Sequence, residues 1–295
     1  MRPIWRTVAK RLALLVLLHV PATVVAAGPS PLRFGSGAMD IPAEMARRIV
    51  PLTRYLSEAL DRPVVPQLSR SMQHTIDQLG QSEVDLALLT PDAYVRATEQ
   101  GARIVAQPTT QGRKTFHLMV MTRDSGPIRS VADLTGKRFA FGDPAALLQY
   151  TTMRHAGLPF RELSEVQYLR YHDVVARAVA QGDVDAGVMR ESTALNWRAR
   201  GLRAIYTSPA LPGYAIAASA RLDASVLDQV REALLKLDAR HPVDRAVIRA
   251  LDPVYDGFVP GNDRDYDTVR RNIDRYAADA QRDLARSTPS AARRN

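Results

Sequence analysis

Apolar positions along the chain switch between two spacings. In YHDVVARAVAQGDVDAGVM (171–189), Val175, Ala178 and Val179 fall on one helical face, with Arg177 and Gln181 turned away. Gly182 stands where a helix C-terminal glycine belongs. Residues 184–188 follow as a short buried strand, apolar apart from Asp185. The same order occurs earlier. LRFGSGAM (32–39) predicts a strand running into a small-residue turn, and KRFAFGDPAAL (137–147) predicts another about 105 positions later. SEVDLALL (82–89) and GDVDAGVM (182–189) are both strands after a helix, each carrying Val-Asp, at 84–85 and 184–185. Each half reads strand, turn, helix, strand, which argues for parallel sheets with helices on both faces. An unpaired carboxylate inside an apolar strand is costly, so Asp85 and Asp185 are expected to accept hydrogen bonds from neighbouring backbone.

Between the halves the chain crosses and returns. Residues 117–122 form a long apolar strand, then a Ser-Gly-Pro break and a helical turn with Ser130 and Asp133 at capping-box spacing, closed by Gly136. RAIYTSPALPGYAIAASA (203–220) gives a strand, a proline-rich turn and a second strand. The remainder reads as mainly helical; Tyr266, Val269, Ile273, Tyr276, Ala280 and Leu284 trace one face, expected to be core packing. The expected division is a first lobe from 28–123 plus 207–286, a second lobe from 124–206, and a disordered tail at 287–295. Two strands would cross between the lobes and act as a hinge.

The first 27 residues order four positive charges, an apolar run from Leu12 and small residues at Val25-Ala26-Ala27. This is the layout of a cleavable secretory signal, and the run is shorter than the roughly 20 residues that span a bilayer. The chain is therefore expected to be exported to the periplasm. It has no cysteine, which excludes lipid anchoring at a cysteine, disulfides and thiol catalysis. The net charge of +9 falls to +5 without the signal's four charges. The positive charge is nearly all arginine, scattered among acidic neighbours as in DRDYDTVRRNIDRYAADAQRDLAR (263–286), so it predicts solvated helix faces and not a nucleic-acid surface. No Gly-x-Ser-x-Gly, His-Glu-x-x-His or phosphate-cradling lysine loop is present, and the six histidines lack metal-ligand spacing. The expectation is a binding protein without enzymatic activity, cofactor or metal.

In open α/β sheets the ligand crevice lies beyond the carboxyl ends of the strands, so contacts are expected in the turns at 35–38, 89–92, 142–150 and 188–192. Ser36 and Thr90 are candidates there. Arg190 and Glu191 follow a strand end, either as a binding pair or as a surface salt bridge. His172 and Asp173 open a helix; Asp173 is expected to cap it.

The order SEVDLALLTPDAY, SVADLTGKRFAFGDP, YHDVVARAVAQGDVDAGVM and SPALPGYAI resembles the phosphonate-binding branch of periplasmic solute-binding proteins serving ABC importers, from about residue 32 to 280. The resemblance implies a two-lobed type II periplasmic-binding-protein fold with mixed or parallel sheets and a ligand cleft between the lobes. It also implies a monomer that delivers a small ligand to a membrane permease; a receptor signalling to a membrane-bound sensor is the other role open to such a fold. His172 matches a ligand-facing histidine of the family, and Glu191 lies within one position of a family carboxylate. Three departures stand out. After Asp143-Pro144 the family's Ser/Thr/Ser/Gly run is replaced by Ala146, Leu147, Leu148 and Gln149, leaving Gln149, Tyr150, Thr151 and Thr152 as candidate donors. Gln73 lies where the family has an aromatic contact, and Tyr214 where it has an acidic residue. The ligand is therefore expected to be a small, possibly diverged anion.

Overall fold

The computed structural model describes residues 29–37, 42–142, 147–158 and 160–287. The expected signal (1–27), Asp143 and Ala146 lie outside the described residues.

The first half runs β1 (Leu32–Ser36), α1 (Pro42–Ala59), β2 (Val64–Leu68), α2 (Met72–Gly80), β3 (Leu86–Leu89), α3 (Pro91–Thr98) and β4 (Arg103–Thr109). The chain then forms β5 (Thr115–Phe116), β6 (Leu118–Arg123), β7 (Arg138–Phe141), α4 (Leu147–His155), β8 (Glu165–Tyr168), α5 (His172–Gln181), β9 (Ala186–Arg190), α6 (Glu191–Arg198) and β10 (Leu202–Thr207). It returns through β11 (Leu211–Pro212) and β12 (Ala215–Ala218) to α7 (Ala224–Lys236), α8 (Pro242–Leu251), β13 (Gly257–Pro260) and α9 (Asp267–Ser287).

Two mixed sheets result. One orders β13-β4-β12-β3-β1-β2, the other β10-β6-β9-β7-β8. In each, a parallel trio (β2-β1-β3 and β8-β7-β9) carries the strand–helix repeat, and the returning strands add antiparallel. The repeat extends to side chains. Asp85 accepts the Arg33 N–H at 2.7 Å, and Asp185 accepts the Arg138 N–H at 2.9 Å, each joining two parallel strands at the same place. The backbone hydrogen bonds expected of both aspartates are present.

Burial follows the predicted periods. Met45, Ile49, Leu52 and Leu56 recur at helical spacing on α1 and are buried against Leu32 and Phe34 of β1. Fully burying side chains of this size contributes about 1.5–3 kcal/mol each. On α5, Val175, Ala178 and Val179 are buried as the pattern predicts, and Gly182 closes the helix at φ +87°. That positive φ is the left-handed region in which glycine is favoured.

The division expected at residue 124 separates β6 from its own sheet: β6 pairs antiparallel with both β9 and β10, so residues 118–123 belong to the second sheet. The C-terminal segment expected to be mainly helical also supplies β13, an edge strand on β4. Residue 287 is the last of α9, not the first of a tail. Between the sheets, β5 and β11 form a two-residue antiparallel ribbon, Leu211 opposite Phe116 and Pro212 opposite Thr115. Helix α9 packs on α3 beside the first sheet and on α4 beside the second. Tyr266, Val269 and Ile273 enter the shared core; the side chains of Ala280 and Leu284 lie outside those described.

Candidate functional site

Leu88 near the carboxyl end of β3 and Arg190 at that of β9 line one space. At the end of β9 stands Arg190, which is also the residue before α6 begins. Its Nη2 lies 2.5 Å from Oδ2 of Asp252, the residue that ends α8 beside the first sheet. Burial alone would push this guanidinium toward neutrality; the Asp252 carboxylate, Tyr214 and Tyr255 together outweigh it and raise the pKa. Arg190 also hydrogen-bonds Tyr214, whose ring centroid is 5.8 Å from the guanidinium carbon.

His172 is the first residue of α5. One ring nitrogen donates to the Val188 carbonyl, while Nδ1 is shielded from solvent and has no hydrogen-bond partner. Burial, followed by the Arg190 charge, lowers its pKa to about 3, so the ring is neutral at physiological pH. Helices α5 and α6 both begin without a side-chain cap bond; at α6 the first N–H, on Glu191, donates to the His117 carbonyl at 2.9 Å, and the positive end of each helix dipole lies beside His172 and Arg190. Around them is a chamber of about 40 Å³, walled by Arg48, Leu88, Tyr214, Leu251 and Tyr255 on one side and by Tyr171, His172, Asp173, Arg190 and Thr193 on the other. It shares Arg190, Tyr214 and Tyr255 as walls with a cavity of about 330 Å³.

Of the residues expected from sequence, His172, Arg190, Glu191 and Tyr214 line these two spaces. Others are engaged elsewhere. Gln149 spends its side-chain oxygen on the Gly142 N–H at 2.9 Å. Tyr150 is buried, its ring 4.8 Å from that of Phe160. Gln73 bonds Asp77 at 2.7 Å and accepts from Arg96. Ser36 is fully buried, and its hydroxyl donates to the Gly37 carbonyl at 3.4 Å. Thr90 precedes α3 and hydrogen-bonds Asp92. Asp173 does not cap α5, because helix formation begins one residue earlier, after Tyr171; its carboxylate accepts the Trp197 indole N–H at 3.2 Å. His117 is structural, its Nδ1 donating to the Ser208 carbonyl at 2.7 Å.

Asp252, Tyr255, Arg48 and Thr193 were not foreseen. Asp252 is one of 31 acidic residues and carries no local signature; only the return of α8 to the crevice gives it a partner. The described residues contain no group of three or more His, Cys, Asp or Glu side chains able to hold a metal, and no helix long and apolar enough to cross a membrane.

Comparison with known proteins follows the same lines. The solved PhnD1 of Prochlorococcus marinus MIT 9301, in complex with methylphosphonate, superposes with a TM-score of 0.76 at 16% identity, covering 84% of this chain and 98% of that one. A binding-protein component of a phosphonate ABC transporter from Pseudomonas aeruginosa gives 0.72 at 18% identity, covering 88% and 90%. These likenesses establish the two-lobed periplasmic-binding-protein fold. An aliphatic sulfonates-binding protein of Escherichia coli K12 is 30% identical over 184 residues, 60% of this chain; the chain spans about half, 54%, of that relative's length. The family model described as "ABC transporter, phosphonate, periplasmic substrate-binding protein" matches residues 35–266. With that match running from the end of β1 to the start of α9, the chain belongs to the family of periplasmic phosphonate substrate-binding proteins of ABC transporters.

Proposed function

We propose that the protein captures a small organic anion of the phosphonate or sulfonate class at Arg190 and delivers it to an ABC permease. The supporting observation is a buried guanidinium, paired with Asp252, at the N-terminal end of α6 and beside an imidazole nitrogen of α5 that has no hydrogen-bond partner among the described residues. Asp252 and Tyr214 engage part of Arg190; a guanidinium has five N–H donors, so others are left for an anion. The family's hydroxyl-rich loop is absent here, and Arg190 supplies charge in its place. The relative's sulfonate ligand and the neighbour's methylphosphonate belong to the same chemistry: a compact tetrahedral oxyanion on an organic substituent. The reading includes export through a signal cleaved after Ala27 and action as a monomer, as in the sequence expectation.

Isothermal titration of the purified protein with methylphosphonate and methanesulfonate tests this reading. Binding that falls at least tenfold in Arg190→Met, in a protein that still melts cooperatively, supports it. Undiminished binding in the variant would move the anion site elsewhere.

A further inference from the structure

The larger cavity has a different chemistry from the small chamber. Its walls include Phe116, Tyr214 and Tyr255, together with Leu195, which is 47% exposed. Phe116 and Tyr214 face each other at 6.2 Å between ring centroids. Part of its charge is already paired, Lys114 with Asp265 at 2.6 Å and Arg190 with Asp252, and Asp256 accepts from Thr109 and Gly112; Arg113, Glu191 and Arg249 also line it. An apolar group gains from this cavity, because the aromatic walls and Leu195 would lose water on contact.

Size separates the two spaces in the same way. The 40 Å³ chamber has room for a headgroup and no more, whereas 330 Å³ falls within the range of pockets that hold whole organic molecules. Arg190, Tyr214 and Tyr255 line both spaces, so a group bound at Arg190 directs its substituent into the larger one.

We infer that the ligand is an organic oxyanion with a bulky apolar or aromatic substituent, whose headgroup sits at Arg190 and whose substituent fills the cavity between Phe116, Leu195, Tyr214 and Tyr255. This rests on the anion reading above. Each methylene buried there is worth about fourfold in affinity, so selectivity comes from the substituent as much as from the charge.

The test is a calorimetric series of methyl-, butyl- and phenylphosphonate with the matching sulfonates. The expected result is phenyl binding at least about thirtyfold tighter than methyl. Ser192→Trp, which puts bulk into the larger cavity from the start of α6, brings the phenyl-to-methyl ratio to within about threefold of one. Leu195→Trp, at a more exposed position, does the same should Ser192→Trp not fold. Methyl and phenyl members binding alike in the wild type overturns this inference and leaves the anion reading standing. A ratio indifferent to both variants also overturns it. No binding by any member overturns both.

Discussion

Arg190 and Asp252 meet at 2.5 Å across the two halves of the molecule, one at the end of β9 and the other at the end of α8. Asp252 is 2% exposed, so the pair is a desolvated contact and not a surface salt bridge. Removing one partner of such a pair strands the other's charge, at a typical cost of about 3–5 kcal/mol. Asp252→Asn is expected to lower unfolding stability in urea by about that amount. It should also enlarge the stabilisation given by an anion, since the ligand then becomes the guanidinium's counter-charge. Unchanged stability together with unchanged ligand response would remove Asp252 from this role.

His172 sets a pH dependence of definite sign. Its folded pKa of about 3 lies below the ordinary imidazole value of 6.5, so the native state holds the ring neutral. The unfolded chain takes up a proton below pH 6.5 while the folded one does not. The contribution therefore favours folding above pH 6.5 and is lost progressively as pH falls toward 3. At pH 4.5 the loss is about 2–3 kcal/mol, at 1.36 kcal/mol per pH unit. His172→Gln has no such titration, so its stability should fall less steeply between pH 7 and 4.5. Parallel stability profiles for the two proteins would contradict the neutral ring.

Neutrality also bears on the ligand. A sulfonate stays ionised from pH 8 to 5, and His172 stays unprotonated, so its affinity should vary by less than about twofold over that range. An affinity rising as pH drops through 6.5 would mean that an imidazolium forms at the site.

The two strand aspartates should differ in weight. Asp85 accepts one backbone N–H, whereas Asp185 accepts the Arg138 N–H and also two guanidinium nitrogens, at 3.2 and 3.0 Å. These bonds hold the Asp185 carboxyl below the usual carboxylate range. Asp185→Ala is expected to cost about 2–3 kcal/mol and Asp85→Ala about 1 kcal/mol in denaturant unfolding, since charge-assisted hydrogen bonds are the stronger ones. The reverse order would show that the guanidinium contacts contribute little.

Gly187 permits the close approach of α5 to β9. A Cβ there would lie 2.5 Å from Cγ1 of Val175 and 3.2 Å from the Ala140 carbonyl oxygen. Gly187→Ala should destabilise by about 1–3 kcal/mol through overpacking. A midpoint shift of several degrees in a thermal melt is the readout.

The repeat was legible because its signals are local. A helical stripe, a glycine stop and a Val-Asp strand recur about 100 residues apart, and the structure turns both copies into parallel trios with matching Asp–backbone bonds. The place of β6 was less legible, because strand pairing is a long-range choice and an apolar strand fits either sheet. At the site, His172, Arg190, Glu191 and Tyr214 were found from strand ends and helix starts. Gln149 was read as a ligand donor because its residue type allows it; the Gly142 N–H, seven residues back, was a nearer acceptor-seeking partner. Tyr150 looked polar in sequence, but its ring is buried beside the partly buried Phe160. Asp252 could not be selected among so many acids without knowing where α8 ends.

The ribbon of β5 and β11 is only two residues long on each side, and Pro212 offers it no N–H. Such a connection would resist torsion poorly. Helix α9 packs on α3 and on α4, tied to the latter by the Arg154–Asp279 pair at 3.7 Å and by Tyr276 against His155. A C-terminal helix fastened to both sides in this way would act as a check-strap: any turning of one sheet against the other would have to break those contacts, and they would bound how wide the way in to Arg190 could become.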